Sequence, residues 1–395
     1  MDTLRKWRII IISGLAGFLA AAVFCFAALC FAIGGVDNFL TFFKFGEVLK
    51  LIDENYIGDY DVGELGDAAA GAAVAAIGDR WGWYFNAEDY EAYKLLEANR
   101  YSGIGITIEK ISEEAGGGTR VVAVRENTPA SRGGIKPGML LLEVGGENVR
   151  ELEVADIRAI ITKNSGKEFT VVLLREDGTE FEATVTSEVI FASPVEWEML
   201  AGDIGYIDIA NFESGTGSGL KKALEELVEA GARGIVFDVR NNPGGKVSEL
   251  RTCLDAILPE CVIFVSVQSN GKITENTSDA ESINLPMAVL VNENSYSAAE
   301  YFAAVLDEYG AAVLVGAPTT GKSRSQVTFV LSDGSALHIS TGGYLTPGRV
   351  DLTEAGGLMP PLGISLSEEE RSLLMSGLLA REDDPQLRAA VDEIS

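Results

Sequence analysis

A single histidine, His338, stands among 395 residues. A zinc site built on several histidines is therefore excluded, and a Ser-His-Asp arrangement has that one residue alone to draw on. His338 sits in SALHIST, whose alternation reads as an ordinary strand, so a hydrolase made from this chain needs another base. Cysteine is scarce as well. Cys25 and Cys30 lie inside an apolar run, while Cys253 and Cys261 flank a helix-to-strand transition and read as buried small hydrophobes. Four cysteines make no disulfide framework in a chain this long, although spacing alone leaves a 253–261 bridge open. Cations are outnumbered, 31 Lys and Arg against 59 Asp and Glu, for a formal charge of −28. That balance argues against nucleic acid as a partner, because phosphate binding needs clustered Lys and Arg. An acidic body also repels anionic lipid, so contact with a membrane requires a dedicated anchor; otherwise the charge serves solubility. What the chain does have is 47% hydrophobic residues and 44 glycines, enough for sizeable cores, and length for two globular domains plus a membrane segment.

The anchor is legible. Residues 9 to 36 carry no charge, and Ile9 to Ile33 is almost wholly apolar, whereas a bilayer is spanned by about 20 such residues in a helix. Arg5, Lys6 and Arg8 precede the run and Asp37 follows it, which keeps residues 1–8 cytoplasmic and sends the rest outside. A cleaved secretory signal is the alternative, but its apolar core normally spans roughly 7 to 15 residues. Either outcome leaves the body of the chain extracytoplasmic. The expected order is a cytoplasmic tail (1–8), a single-pass transmembrane anchor (9–34) and a helical arm (35–98). FLTFFKFGEVLKLIDENY and the alanine-rich GELGDAAAGAAVAAIGDRW supply that arm as a packing or homo-oligomerising element.

From about residue 100 the pattern changes to short strands around TPASRGGIKPGMLLLEVGGENV, with a helix near ELEVADIRAIITKN and a hairpin turn at Asp177-Gly178. This stretch resembles a PDZ domain over 99–188. The resemblance implies an extended peptide captured by strand addition, its terminal carboxylate held by Ser102, Gly103, Ile104 and Gly105; a plain glycine-containing strand entry is the alternative. Beyond 203, GYIDIANF, GLKKALEELVEAGA, GIVFDVR, VSELRTCLDAIL, MAVLVN, SAAEYFAAVLDEYG and AAVLVG alternate strand and helix, which implies parallel strands with helices on their faces. The chain closes with a helix in DPQLRAAVDEI.

Three stretches carry candidate chemistry. In FDVRNNPGGKV a buried strand runs into Gly244-Gly245 and a helix start; glycines let backbone amides approach a ligand, although Pro-Gly-Gly is equally a turn. In LVNENSYSAAEYFAA, Ser297 falls at a helix start after a buried strand, where the dipole favours an anion. Ser297-x-x-Glu300 is also a capping box, and Ser295 competes for either role. In VGAPTTGKSRSQ, Lys322 follows a buried strand, a position where a lysine is ordinarily solvated.

Together these stretches, in this order, resemble the C-terminal-processing, or tail-specific, serine peptidases, the bacterial carboxyl-terminal proteases that carry a PDZ domain ahead of a peptidase domain and use a Ser-Lys pair. The resemblance runs from about 43 to 395. It implies an α/β peptidase core of the βαβ, ClpP/crotonase-like kind over 189–370, an inserted α+β PDZ domain, and a C-terminal helical segment, 371–395. Ser297 maps to the nucleophile and Lys322, 25 residues on, to the base. Gln326 maps to a group orienting the lysine, the Ala298 amide and Gly244 or Gly245 to the oxyanion hole, and Glu300 to a supporting residue. The resemblance further implies protein tails as substrates, no metal, no organic cofactor and a site in the bacterial cell membrane facing outward. As a base, Lys322 must be neutral, which requires its pKa to fall several units from about 10.4. The chain departs from the family pattern at Tyr296, Ala299, Thr320 and Ser323, and IGDRWGWYF replaces a Pro-containing phrase. A degenerate homologue that binds tails without cutting them, or a PDZ-led scaffold, is the rival reading.

Overall fold

A computed structural model describes residues 2–111 and 117–395; Met1, at the start of the expected tail, and residues 112–116, inside the expected PDZ span, lie outside the described residues. The chain divides into two units, 1–66 and 67–395. In the first, a helix Asp2–Ala32 contains the stretch Ile11–Ala32, with a mean hydropathy of 2.4. Its 22 residues span ~33 Å as a helix, long and apolar enough to cross a membrane. A second helix, Val36–Asn55, buries none of its residues; Phe39 meets Phe26 of the first helix edge to face at 5.1 Å.

In the second unit, the strands read as near-continuous apolar runs pair in parallel. Ile204–Ile209, Gly234–Asp238, Met287–Val291, Val313–Gly316 and Leu362–Gly363 follow one another across the sheet, with Val195–Leu200 antiparallel on the outer edge. Strands covered on both faces need apolar residues on both, which is why no polar alternation is visible in them. Ile207, Ile209, Ile235, Phe237, Val289 and Val291 face one core, shared with helices Thr216–Glu229, Val247–Asp255 and Ala298–Glu308. Their neighbours Tyr206, Val236, Ala288 and Leu290 face the other, covered by Leu387, Ala390 and Ile394 of the helix Pro385–Ile394. That terminal helix is locked by charge. Arg240, leaving the central strand, pairs with Asp238 at 2.5 Å and with Asp384 at 2.7 Å, all three side chains being buried.

A second, antiparallel sheet went unread in the sequence apart from SALHIST and the strand entry after Cys261. It joins Trp83–Phe85, Ala336–Leu345, Val262–Gln268, Ile273–Thr277 and Arg324–Val330. Val262–Gln268 is apolar and buried at Ile263–Val265, but Arg324–Val330 and Ala336–Leu345 carry Ser, Thr, Gln and Gly on partly exposed faces and lack the apolar signature of the parallel sheet. Cys253 is buried and Cys261 half-buried, and neither is bridged.

The PDZ domain folds over Ile106–Lys110, Thr119–Val124, Leu140–Val144, Glu168–Leu174 and Glu180–Thr186, with helix Val154–Lys163 packed on them through Ile157, Ile160 and Ile161. The chain enters it along Arg100–Gly103 and leaves along Glu188–Phe191, and these two segments pair antiparallel into a ribbon.

Candidate active site

The strands Gly234–Asp238 and Met287–Val291 end side by side, and the loops that follow are stitched together by asparagines. Asn292 Oδ1 accepts from the Asn241 amide at 2.9 Å, Asn292 Nδ2 donates to Asn241 Oδ1 at 2.8 Å, and the Tyr296 amide donates to the Asn242 carbonyl at 3.2 Å. Asn242, wholly buried, donates through Nδ2 to the Ile209 carbonyl at 2.6 Å. Ser295, the competing serine, is also wholly buried; its Oγ donates to the Val239 carbonyl at 2.7 Å and accepts from the Asn292 amide at 3.0 Å. Its hydroxyl is committed to holding the loops.

Ser297 opens the helix Ala298–Glu308 with φ 59° and ψ −121°. A non-glycine residue at positive φ is strained and persists only where its surroundings dictate it. The capping box read as an alternative is not formed, for the Ser297 side chain makes no cap hydrogen bond. Glu300, its would-be partner, turns instead to the loop that carries Lys322. Its carboxylate accepts from the Gly321 amide at 2.7 Å, the Lys322 amide at 2.9 Å and the Thr319 hydroxyl. Burial pushes the Glu300 carboxyl up and these donors pull it back, leaving it above its ordinary value.

Gly244 lies against the start of the same helix. A Cβ there would stand 2.7 Å from Ser297 Cβ and 2.8 Å from the Ala298 amide nitrogen, and its φ is +91°. Only glycine permits this approach. The Gly244 N–H donates to Asn242 Oδ1 at 2.8 Å. The amides of Gly245 and Ala298 have no acceptor among the described residues, so of the two glycines considered, Gly245 has the free donor.

Ser297, Lys322, Gly244, Gly245 and Gln326 all line one cleft of about 750 Å³. Tyr344 spans it: its hydroxyl donates to the Lys322 carbonyl at 2.5 Å and lies 3.5 Å from Ser297 Oγ. Burial brings the Lys322 ammonium down to about 8, with Asp79 opposing. Yet no hydrogen bond joins Lys322 Nζ to Ser297 Oγ. Nζ lies 4.4 Å from the centroid of the Trp81 ring and 5.8 Å from that of Tyr296. Gln326 does not reach the lysine either; its Nε2 donates to Ser340 Oγ at 3.0 Å and to the Arg324 carbonyl at 3.1 Å. Tyr344, Asn242 and Trp81 were not singled out from the sequence. For Trp81 the signal was present in the departure IGDRWGWYF.

In the PDZ domain, Ser102, Gly103, Ile104 and Gly105 line a cavity of about 440 Å³ with Ile161, Arg125 and Arg158. Gly105 has φ +85°, and the Ile104 and Gly105 amides have no acceptor among the described residues. Ser102 Oγ is 2.5 Å from Ser165 Oγ.

The parallel core, with a serine-opened helix over a cleft and a PDZ domain inserted ahead of it, defines a PDZ-bearing peptidase fold. Residues 203–362 match the model of peptidase family S41, and residues 120–175 match a PDZ-domain model. The motif stretches around Asn242, Ser297 and Lys322 fall inside the first match, and the TPASRGGIKPGMLLLEVGGENV phrase inside the second. The chain is 28% identical over 311 residues, 77% of its length, to a CtpA-like serine protease of Staphylococcus saprophyticus, and 27% identical over 307 residues, again 77%, to the carboxy-terminal processing protease CtpA of Bacillus subtilis. It spans 62% and 65% of those two proteins, just under two thirds of each. A solved S41 protease structure from Bacteroides fragilis shares the fold at a TM-score of 0.58 and 18% identity, over 86% of this chain and 92% of that one.

Proposed function

We propose that this protein is a serine endopeptidase that cuts proteins near their C-terminal tails, with Ser297 as nucleophile and Lys322 as general base. The observation that carries the reading is Ser297 itself: a strained residue, excused from capping, opening a helix at the rim of a cleft it shares with a half-buried lysine. In this mechanism neutral Lys322 takes the proton from Ser297 Oγ as the oxygen attacks the peptide carbonyl. The Gly245 and Ala298 amides hold the resulting oxyanion, a contribution of about 3–4 kcal/mol for one such donor. Lys322 then returns the proton to the leaving amine, and water clears the acyl-enzyme. Gln326 orients the lysine in the competent arrangement, and Glu300 fixes the backbone on which the lysine stands. The core is of the ClpP/crotonase-like kind, and the chemistry calls for no metal or organic cofactor.

The PDZ domain delivers the substrate. The free amides at Ile104 and Gly105 suit a terminal carboxylate, the apolar floor at Ile104 and Ile161 suits an apolar last side chain, and Gly103 and Ser102 complete the loop. The apolar helix Ile11–Ala32 holds the protein in the bacterial membrane with its catalytic part outside.

The test is cleavage of a tailed protein by the full chain, purified in detergent. Ser297→Ala and Lys322→Ala each abolish cleavage without loss of fold, and wild-type kcat/KM rises with pH and levels off above about 8, where Lys322 sheds its proton. Cleavage that survives Ser297→Ala sinks the reading.

A further inference from the structure

Two of the departures from the family pattern, Tyr296 and the phrase IGDRWGWYF, meet in space at Lys322. The rings of Trp81 and Tyr296 stack with centroids 5.7 Å apart and planes 26° from parallel. Lys322 Nζ stands over both, at 4.4 and 5.8 Å. An aromatic face attracts a cation and gives a neutral amine nothing comparable. A base needs the reverse on both counts, a neutral nitrogen within hydrogen-bond reach of the hydroxyl.

Trp81 is firmly placed. Asp79 accepts from the Ser340 amide at 2.8 Å, from Ser340 Oγ at 3.0 Å and from the Trp81 amide at 3.0 Å, and Trp83–Phe85 then pairs with Ala336–Leu345. The same Ser340 Oγ receives Gln326 Nε2. Ser340 thus fixes the turn that carries Trp81, through its amide and its hydroxyl together, and the same hydroxyl occupies the side chain expected at the lysine. Arg80, with Cζ 4.7 Å from the Trp81 centroid, shares that indole, while Asp79 and His338 are the titratable neighbours of Lys322.

We infer that Trp81 and Tyr296 are positioning residues that park Lys322 as an ammonium away from Ser297, and that the turn bearing Trp81 must release the lysine before the serine is activated. The inference rests on the Ser-Lys reading above, and its test is built to separate the two. Two measurements are made on the full chain in detergent micelles. The first is the acetylation rate of Lys322 by an amine-reactive ester, read by peptide mass spectrometry in a Ser297→Ala background, which needs no turnover. The second is the pH profile of kcat and KM on a short tailed peptide with Ser297 intact.

Removing the ring with Trp81→Ala raises Lys322 acetylation and kcat each by about tenfold, with KM nearly unchanged and the rise largest below pH 8. Trp81→Phe, which keeps a ring face, stays within about twofold of the parent. Ser340→Ala, which loosens Asp79 while leaving Trp81 in the chain, moves both readouts the same way by a smaller factor and serves where Trp81→Ala does not fold. Acetylation unchanged by both Trp81→Ala and Ser340→Ala overturns the cage, as does a kcat that falls alike in the Ala and Phe variants. If acetylation rises while no Ser297-containing protein cleaves, the cage stands and the Ser-Lys reading falls.

Discussion

The Ser297 side of the cleft is held through its backbone, whereas the Lys322 side is held only as far as the Lys322 backbone. Around Ser297, asparagine side chains, the buried Ser295 and the close approach of Gly244 dictate every main-chain position, and a positive φ is maintained against its cost. Around Lys322, Glu300 fixes the main chain with equal care, but beyond Cα a flexible chain of four methylenes ends against two rings. Geometry that must be right to within tenths of an ångström, such as an oxyanion hole, is built from main chain. A group that has to change place and charge is built from side chain, where rotamers interconvert without disturbing the fold.

The sharpest way to break this contrast is Gly244→Ala. The added carbon has no room on the Ser297 side, so under the proposed mechanism kcat falls by ~10²–10³ as the Ala298 and Gly245 amides shift, while the affinity for a tail peptide, measured by fluorescence anisotropy, is unchanged. A wild-type kcat would show that this side yields after all. On the Lys322 side, Glu300→Gln keeps the shape but replaces one acceptor oxygen with a donor facing amides. It lowers kcat by ~10–100-fold through misplaced Lys322 and lowers stability by about 1–3 kcal/mol for the buried donor left unpaired, read from denaturant melts. The smallest effect tests charge without touching either side. Burial beside Asp238 raises the Asp208 carboxyl to about 7. The folded state therefore holds a proton that the unfolded chain releases, so stability falls as pH rises from about 4 through 7. Asp208→Asn gains about 1–2 kcal/mol at pH 8, a gain that fades below pH 4, and leaves kcat unchanged. A gain independent of pH would assign the effect to packing.

Much of this was legible along the chain. The positions of Ser297 and Lys322 were legible because each lies in a loop after an unbroken apolar strand, and the parallel sheet makes such strands conspicuous. The PDZ domain was legible through one long ordered phrase. Most of the antiparallel sheet was not, since Arg324–Val330 carries Ser, Gln and Thr on partly exposed faces and Ile273–Thr277 is polar and exposed, and neither matches a clear period. Nor was the meeting of Trp81 with Lys322, which the strand pairing Trp83↔His338 brings about across most of the chain. The choice between Gly244 and Gly245 rested on which amide Asn242 captures, and that depends on a loop conformation no local pattern specifies.

The ribbon formed by Arg100–Gly103 and Glu188–Phe191 bears on how the PDZ domain moves. A module tethered by one strand, or by two separate ones, swivels about many axes. Two strands bonded along their length bend readily across their plane and resist shear within it. The PDZ domain is thus joined to the core by one paired ribbon rather than by two separate strands. Tyr101, within that ribbon, lines both the PDZ cavity and the cleft that holds Ser297, so one side chain is shared by the two.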